Sequence, residues 1–156
     1  MKEYPGRLIS ILYRKGLSYW GQALKEHEIS SAEYPILITL NKKDGITQEE
    51  IASQFDMDKS AITRVVRSLL DKGFIEREKD EDDRRCNRIY LTKKGHASKE
   101  PILKGMKELS QIATKDVDPD EMEVVSRVLS KMVENICEYS VRQEENNNER
   151  GDQDAK

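Results

Sequence analysis

TQEEIASQFDMDKSAITRVVRSLLDKGFIEREKDEDDRRCNRIYLTKKG, residues 47–95, is the stretch whose reading decides the fold. Its first part predicts a short helix over 47–54: Thr47 can cap it, and Glu50, three residues on, can reach back to close a capping box. Ile51, Ala52 and Phe55 then share an inward face. After a turn at 55–57, Asp58 is an N-cap for a second helix that continues to Lys72 and stops at Gly73. The two faces of that second helix differ. Ile62, Val65, Val66, Leu69 and Leu70 form an apolar stripe at helical spacing, while Lys59, Ser60, Thr63, Arg64 and Arg67 carry donors with no carboxylate among them. A helix pair joined by about three residues, with such donors near the start of its second member, is the arrangement that enters a DNA major groove. A plain helical hairpin with a solvated face shows the same pattern, so the following segment has to decide between them.

Residues 74–79 and 84–91 are strand-like runs separated by Asp80, Glu81, Asp82 and Asp83, which predicts a hairpin with a polar tip. A helix pair followed by a basic hairpin is a winged helix-turn-helix. The run Asp80, Glu81, Asp82, Asp83, Arg84, Arg85, then Ile89, Tyr90, Leu91, Thr92 and Gly95, resembles the wing signature of the multiple antibiotic resistance regulator (MarR) family. That signature is an acidic residue, then Asp-x-Arg, then Leu-Thr-x-x-Gly. Upstream, Ser60, Ile62, Thr63 and Arg64, with Leu69, Lys72 and Gly73, are similar to the family's recognition helix. The match is dense over residues 30–95, and the helical layout on either side extends it to about Gln143.

The resemblance implies a mainly α fold with a small β-hairpin wing, in which a winged helix-turn-helix domain is flanked by N- and C-terminal dimerisation helices. It also implies that Ile46 pairs with the wing, that Arg85 enters a narrow minor groove, and that Asp83 pairs with an arginine to hold the wing tip in shape. Arg84 and Arg88 are then assigned to phosphates, Lys59, Ser60, Thr63 and Arg64 to base edges and nearby phosphates, and Arg67 and Lys72 to the DNA backbone. The implied function is a homodimeric regulator of transcription, a ligand-responsive repressor on a palindromic double-stranded operator. Small aromatic or phenolic effectors of the family bind between the dimerisation helices and the DNA-binding lobe. Tyr13, Tyr19, Trp20, Tyr34 and Met106 are residues that can line such a crevice, with core packing as the alternative.

Composition bounds the rest. The 156 residues are 36% hydrophobic and 37% charged, which makes a modest monomer core and favours burial shared with a second chain. The net charge of −3 is unevenly placed: residues 143–156 hold five acids and two bases, while residues 58–95 hold eleven bases and eight acids. Basic charge is therefore local, as a phosphate-facing surface requires. Cys86 and Cys137 lie far apart without paired spacing, so free thiols in a reducing cytoplasm are expected. No apolar run has the length of a membrane span, and no signal-peptide pattern is present.

Along the chain, residues 1–29 form a dimerisation helix from about Arg7 to Glu28, interrupted by Gly16 and Gly21, which suggest close approach by another helix or a tolerated defect. Residues 30–95 form the DNA-binding domain, opened by a second capping box of Ser30 and Glu33 and a helix from Ser31 to about Lys42. Residues 96–142 hold the C-terminal dimerisation helices. Thr92 caps a helix running to about Lys115, in which Pro101 marks a kink or a late start, and Asp118 caps the last helix with Pro119 at its first position. In that last helix Met122, Val125, Leu129, Met132, Ile136 and Tyr139 recur at steps of three and four, a heptad seam suited to a two-chain interface. Residues 143–156 are too polar to fold alone and are expected to be a disordered acidic tail.

Other chemistries lack their signals. The Asp80–Asp83 cluster lacks the glycine and glutamate of a calcium loop, and His27 and His96 have no partners at zinc spacing, so neither a metal nor a cofactor is expected. No nucleophile and base form a catalytic pattern and no phosphate loop is present, which argues against an enzyme. Cys86, beside arginines that would lower its pKa, is a candidate oxidation sensor. The alternative function is a winged-helix module whose basic face contacts an acidic protein and never DNA.

Overall fold

In the computed structural model, residues 4–55, 58–80 and 86–153 are described, with side chains as far as Tyr139. The chain divides into two compact units, Met1–Gln111 and Ile112–Lys156.

The first unit opens with α1 (Pro5–Ala23), entered through a proline whose missing N–H costs nothing in a first turn. It ends five residues before the predicted Glu28. Leu24 leaves helical geometry and is buried, a 3-10 turn follows at Lys25–His27, and Glu28 adopts a left-handed φ of 60°. This reversal drops both Leu24 and Ile29 into the core, which a continued helix would prevent. Next, α2 (Tyr34–Lys42) starts three residues later than expected. Pro35 has no amide hydrogen for the Ser31 carbonyl, so the regular ladder begins only where the Leu37 amide donates to Glu33.

β1 (Ile46–Thr47) leads straight into α3 (Gln48–Phe55). Here the predicted capping box is complete: the Thr47 amide donates to Glu50 Oε2 at 2.7 Å and the Glu50 amide to Thr47 Oγ1 at 3.2 Å. α4 (Lys59–Asp71) is capped by Asp58, which accepts from the Ala61 amide at 2.8 Å, and the chain turns away at Gly73 with a φ of +72°. β2 (Ile75–Lys79) and β3 (Asn87–Leu91) form the hairpin, and β1 adds to it with Ile46 opposite Ile89, giving an antiparallel sheet of order β1-β3-β2. Ile46, Ile51, Ile62, Val66, Leu69, Ile75 and Ile89 close one core between this sheet and the helix pair.

Thr92 caps α5 (Lys93–Ala97) and also ties the wing to α4: its hydroxyl donates to the Gly73 carbonyl at 2.7 Å and accepts from the Gly95 amide at 3.1 Å. A Cβ at Gly95 would overlap the Phe74 carbonyl oxygen, which is the physical reason for glycine at this position. α6 (Lys99–Ala113) begins after a break at Ser98, so Pro101 marks a late start. Among the described residues, nothing lies within 4 Å of a Cβ built at Gly16 or Gly21. The close approach occurs instead at Gly105, where a Cβ would lie 2.7 Å from the buried Trp20 ring.

The second unit is built on α7 (Pro119–Gln153), started by Asp118, whose carboxylate accepts from the Asp120 amide at 2.8 Å. The expected tail does not begin as coil after Arg142, because the helical backbone runs on to Gln153. Glutamate, glutamine and arginine favour helix even where they have no core to join, and the segment has no proline and only one glycine, Gly151.

Candidate nucleic-acid interface

α4 is sharply two-sided. Ile62, Val66 and Leu69 have no exposed surface, while Lys59, Ser60, Thr63, Arg64 and Arg67 are exposed on the opposite face. Burial of the first set orients the second, since each large aliphatic side chain contributes roughly 1.5–3 kcal/mol when removed from water. The helix start is further tied down through Asp58, which hydrogen bonds from the Ser60 hydroxyl and the Ala61 amide hold below the usual carboxylate range.

The exposed donors are not equally available. Lys59 Nζ rests 3.0 Å from Glu49 Oε1, but both groups are solvated, so the pair is weak and Lys59 can exchange partners. Among the described residues, neither Arg64 nor Arg67 makes a side-chain hydrogen bond or ion pair. Thr63, by contrast, is engaged twice: its hydroxyl donates to the Lys59 carbonyl and accepts from Gln48 Nε2, both at 2.6 Å. Gln48 Oε1 in turn accepts from an Arg77 Nη at 3.1 Å. Gln48 and Arg77 escaped the sequence reading. Strand alternation was the available signal, because Arg77 lies two residues from the buried Ile75 and directly opposite Ile89, on the same sheet face.

Two cations expected at DNA are used inside the fold. Lys72 Nζ lies 2.9 Å from each carboxylate oxygen of Glu33 and also donates to the Glu28 carbonyl at 2.9 Å. Glu33 is buried and accepts in addition from the Ser30 amide and the Ser68 hydroxyl, each at 2.7 Å. Burial alone would raise its pKa, but Lys72 and these donors outweigh that and hold it below the ordinary range. Beyond its capping box with Ser30, Glu33 anchors the far end of α4. Arg88 is likewise engaged within the fold, although its side chain is 40% exposed. Its Nε is 2.6 Å from Asp80 Oδ2 and its Nη1 donates to the Gly45 carbonyl at 2.8 Å, so it braces the base of the wing where a phosphate contact was expected. Asp83, Arg84 and Arg85 lie outside the described residues.

The aromatic set is brought together only in part. Trp20 is buried, stacks on Tyr34 with ring centroids 4.1 Å apart and meets Tyr19 edge-on at 5.5 Å. Tyr19 donates to the Gly105 carbonyl at 3.1 Å. These three fill core space, whereas Tyr13 and Met106 are exposed. On α7, Val125, Leu129, Ile136 and Tyr139 are exposed, and Met122 and Met132 are half-buried. α1 similarly exposes Leu8, Ile9, Leu12 and Tyr13. Cys86 and Cys137 are exposed. Among the described residues, no group of three or more His, Cys, Asp or Glu is placed to hold a metal, and no helix is long and apolar enough to cross a membrane.

Comparison with known proteins bears on this surface. The MarR family model matches residues 29–87, which cover the helix pair and most of the hairpin. A solved MarR transcriptional regulator from Methanosarcina mazei Go1 is 34% identical, with 86% of this chain and 96% of that one covered at a TM-score of 0.79. The transcriptional repressor MprA of Escherichia coli strain K12 is 29% identical over 128 residues, 79% of this chain and 73% of MprA. A MarR-family regulator from Listeria monocytogenes, solved with a 26mer DNA, shares the fold at a TM-score of 0.80 and 22% identity, covering 87% of this chain and 90% of its own.

Proposed function

The chain belongs to the MarR family of transcriptional regulators and carries that family's DNA-binding winged helix, and we propose that it acts as a homodimeric, ligand-responsive repressor on a palindromic operator. The observation that carries this reading is the two-sided α4. Ile62, Val66 and Leu69 of its apolar face are fully buried, with Val65 and Leu70 packed half-buried beside them, while Lys59, Ser60, Thr63, Arg64 and Arg67 face solvent. In this reading Lys59, Ser60, Thr63 and Arg64 meet base edges and neighbouring phosphates, and Arg67 holds the backbone. Arg84 and Arg85 extend the contact through the wing, with Arg85 in the minor groove, and Asp83 shapes its tip. Arg88 supports the wing through its ion pair with Asp80.

Homodimerisation is supported by the apolar side chains that the two helices expose, Leu8, Leu12 and Tyr13 on α1 and Val125, Leu129 and Tyr139 on α7. A twofold dimer would set its recognition helices about 34 Å apart, one turn of duplex. The name of the relative MprA supports repression, and the solved Listeria complex supports DNA as the target. Release by a small phenolic effector follows the family pattern, with Tyr13 and Met106 as the exposed members of the aromatic set.

Selection of genomic duplex fragments by the purified protein, at about 0.15 M salt to suppress nonspecific attraction, tests the reading. Enrichment of a palindrome with half-sites one turn apart is expected, followed by release of the recovered fragment on adding phenolic acids. Failure of a folded dimer to enrich any sequence would favour the protein-interaction alternative.

A further inference from the structure

Resting on the reading that α4 enters the major groove and the wing the neighbouring minor groove, we propose that the sugar–phosphate strand between those grooves is seated on one face of β2, where Arg77 and Lys79 bind separate phosphates. Strand alternation sorts the charges of β2 by face. Ile75, Arg77 and Lys79 share a face with their β3 partners Leu91, Ile89 and Asn87. Ile75, Ile89 and Leu91 bury the inner part of that face, and Arg77 and Lys79 continue it outward as exposed cations. Glu76 and Glu78 fall on the reverse face with Arg88, which pairs there with Asp80. β2 is therefore cationic on the side that meets α3 through Gln48, and anionic on the other.

The geometry of the duplex supplies the occupant. Adjacent major and minor grooves are divided by one sugar–phosphate strand, so a protein that fills both meets that strand between its two reading elements. Between α3 and the wing lies a cleft of about 210 Å³, with Gln48 and Glu49 on one wall, Arg77 and Asn87 on the other, and the buried Ile89 between them. Arg77 gives one donor to Gln48 Oε1 at 3.1 Å, which steadies the guanidinium and leaves its other N–H groups for a phosphate. Lys79 makes no side-chain hydrogen bond or ion pair among the described residues. Two positions along an extended strand set these cations roughly 6–7 Å apart, enough to take separate phosphates. Glu49 opposes an anion in the cleft, but Lys59 Nζ lies 3.0 Å from its carboxylate.

Salt titrations of binding to the selected operator and its single-base variants test this assignment. They use the full-length wild type, Lys79→Gln, Arg77→Gln, Gln48→Ala and Glu78→Gln, each first checked for native helicity by circular dichroism. Lys79→Gln and Arg77→Gln each remove one phosphate contact per half-site, so each should lower the slope of log K against log salt by about 1.8 for the dimer. The ranking of the operator variants should stay the same, because phosphates carry no sequence information. Gln48→Ala, which removes the support of Arg77 but no charge, and Glu78→Gln, on the reverse face, should keep the wild-type slope. An unchanged slope in Lys79→Gln and Arg77→Gln overturns the proposal while leaving groove binding intact. A Gln48→Ala slope that falls as far as that of Arg77→Gln overturns it too, by making Arg77 a support of Gln48. A wild type that selects no operator overturns the groove reading and the proposal together.

Discussion

At the residue scale, the decisive fact is that equal charges have unequal fates. Arg67 lies on α4 and Lys72 is the C-cap of the same helix, yet Lys72 is drawn onto the buried Glu33 while Arg67 is exposed. The Glu33 site is worth about 2 kcal/mol, the usual range for hydrogen bonds to a partly desolvated charge. Its pH dependence has a definite sign. A carboxylate whose folded pKa is depressed contributes stability fully above its unfolded value, near 4.3, and that contribution disappears as pH falls through the lower folded value. Glu33→Gln should therefore melt below wild type at pH 7, and the gap should close as the pH is lowered past the carboxylate range. Thermal melts of both proteins check this; a gap constant with pH would remove Glu33 as the titrating group.

At the scale of elements, the joint between α4 and the wing is made on backbone carbonyls, by one hydroxyl and one glycine. Thr92 and Gly95 pack directly on the carbonyls of Gly73 and Phe74. Gly95→Ala should cost about 1–3 kcal/mol through overpacking, seen as a lower denaturant midpoint with an unchanged slope. Ala97→Gly, on the same short helix but exposed, is the control for helix propensity. The helix pair, its caps and the hairpin were legible because each rests on residues a few positions apart: Thr47 with Glu50, Asp58 with Ala61, Ile62 with Val66 and Leu69. The end of α1 and the start of α2 were misplaced for the opposite reason. Leu24 and Ile29 are pulled out of helix by a core assembled from distant segments, and Pro35 withholds the hydrogen bond that would have opened α2 earlier.

At the scale of the whole molecule, each of the two units exposes large apolar side chains. Ile136 and Tyr139 on α7 are 68% and 64% exposed, and Leu12 and Tyr13 on α1 are 62% and 66% exposed. Contiguous exposed apolar faces of this kind mark interaction surfaces. Leu129→Glu, in the middle of the α7 seam, should weaken dimerisation by more than about tenfold, since burying an unpaired carboxylate costs well over 1.4 kcal/mol. Sedimentation would show the shift to monomer, and operator affinity should fall with it because the two half-sites are no longer linked. A variant that remains a full dimer would move the interface elsewhere.

The sequence by itself determined the winged helix-turn-helix, the polarity of α4 and the heptad seam of α7, because caps, apolar stripes and strand alternation are properties of neighbouring residues and survive without knowledge of the rest. Only the tertiary structure decided which polar groups remain free to meet a ligand. Lys72 meets Glu33 across 39 positions, Arg88 meets the Gly45 carbonyl across 43, and Arg77 reaches Gln48 across 29. A side chain's chemistry is written in its own atoms, but its availability depends on the partners that folding brings within hydrogen-bond distance.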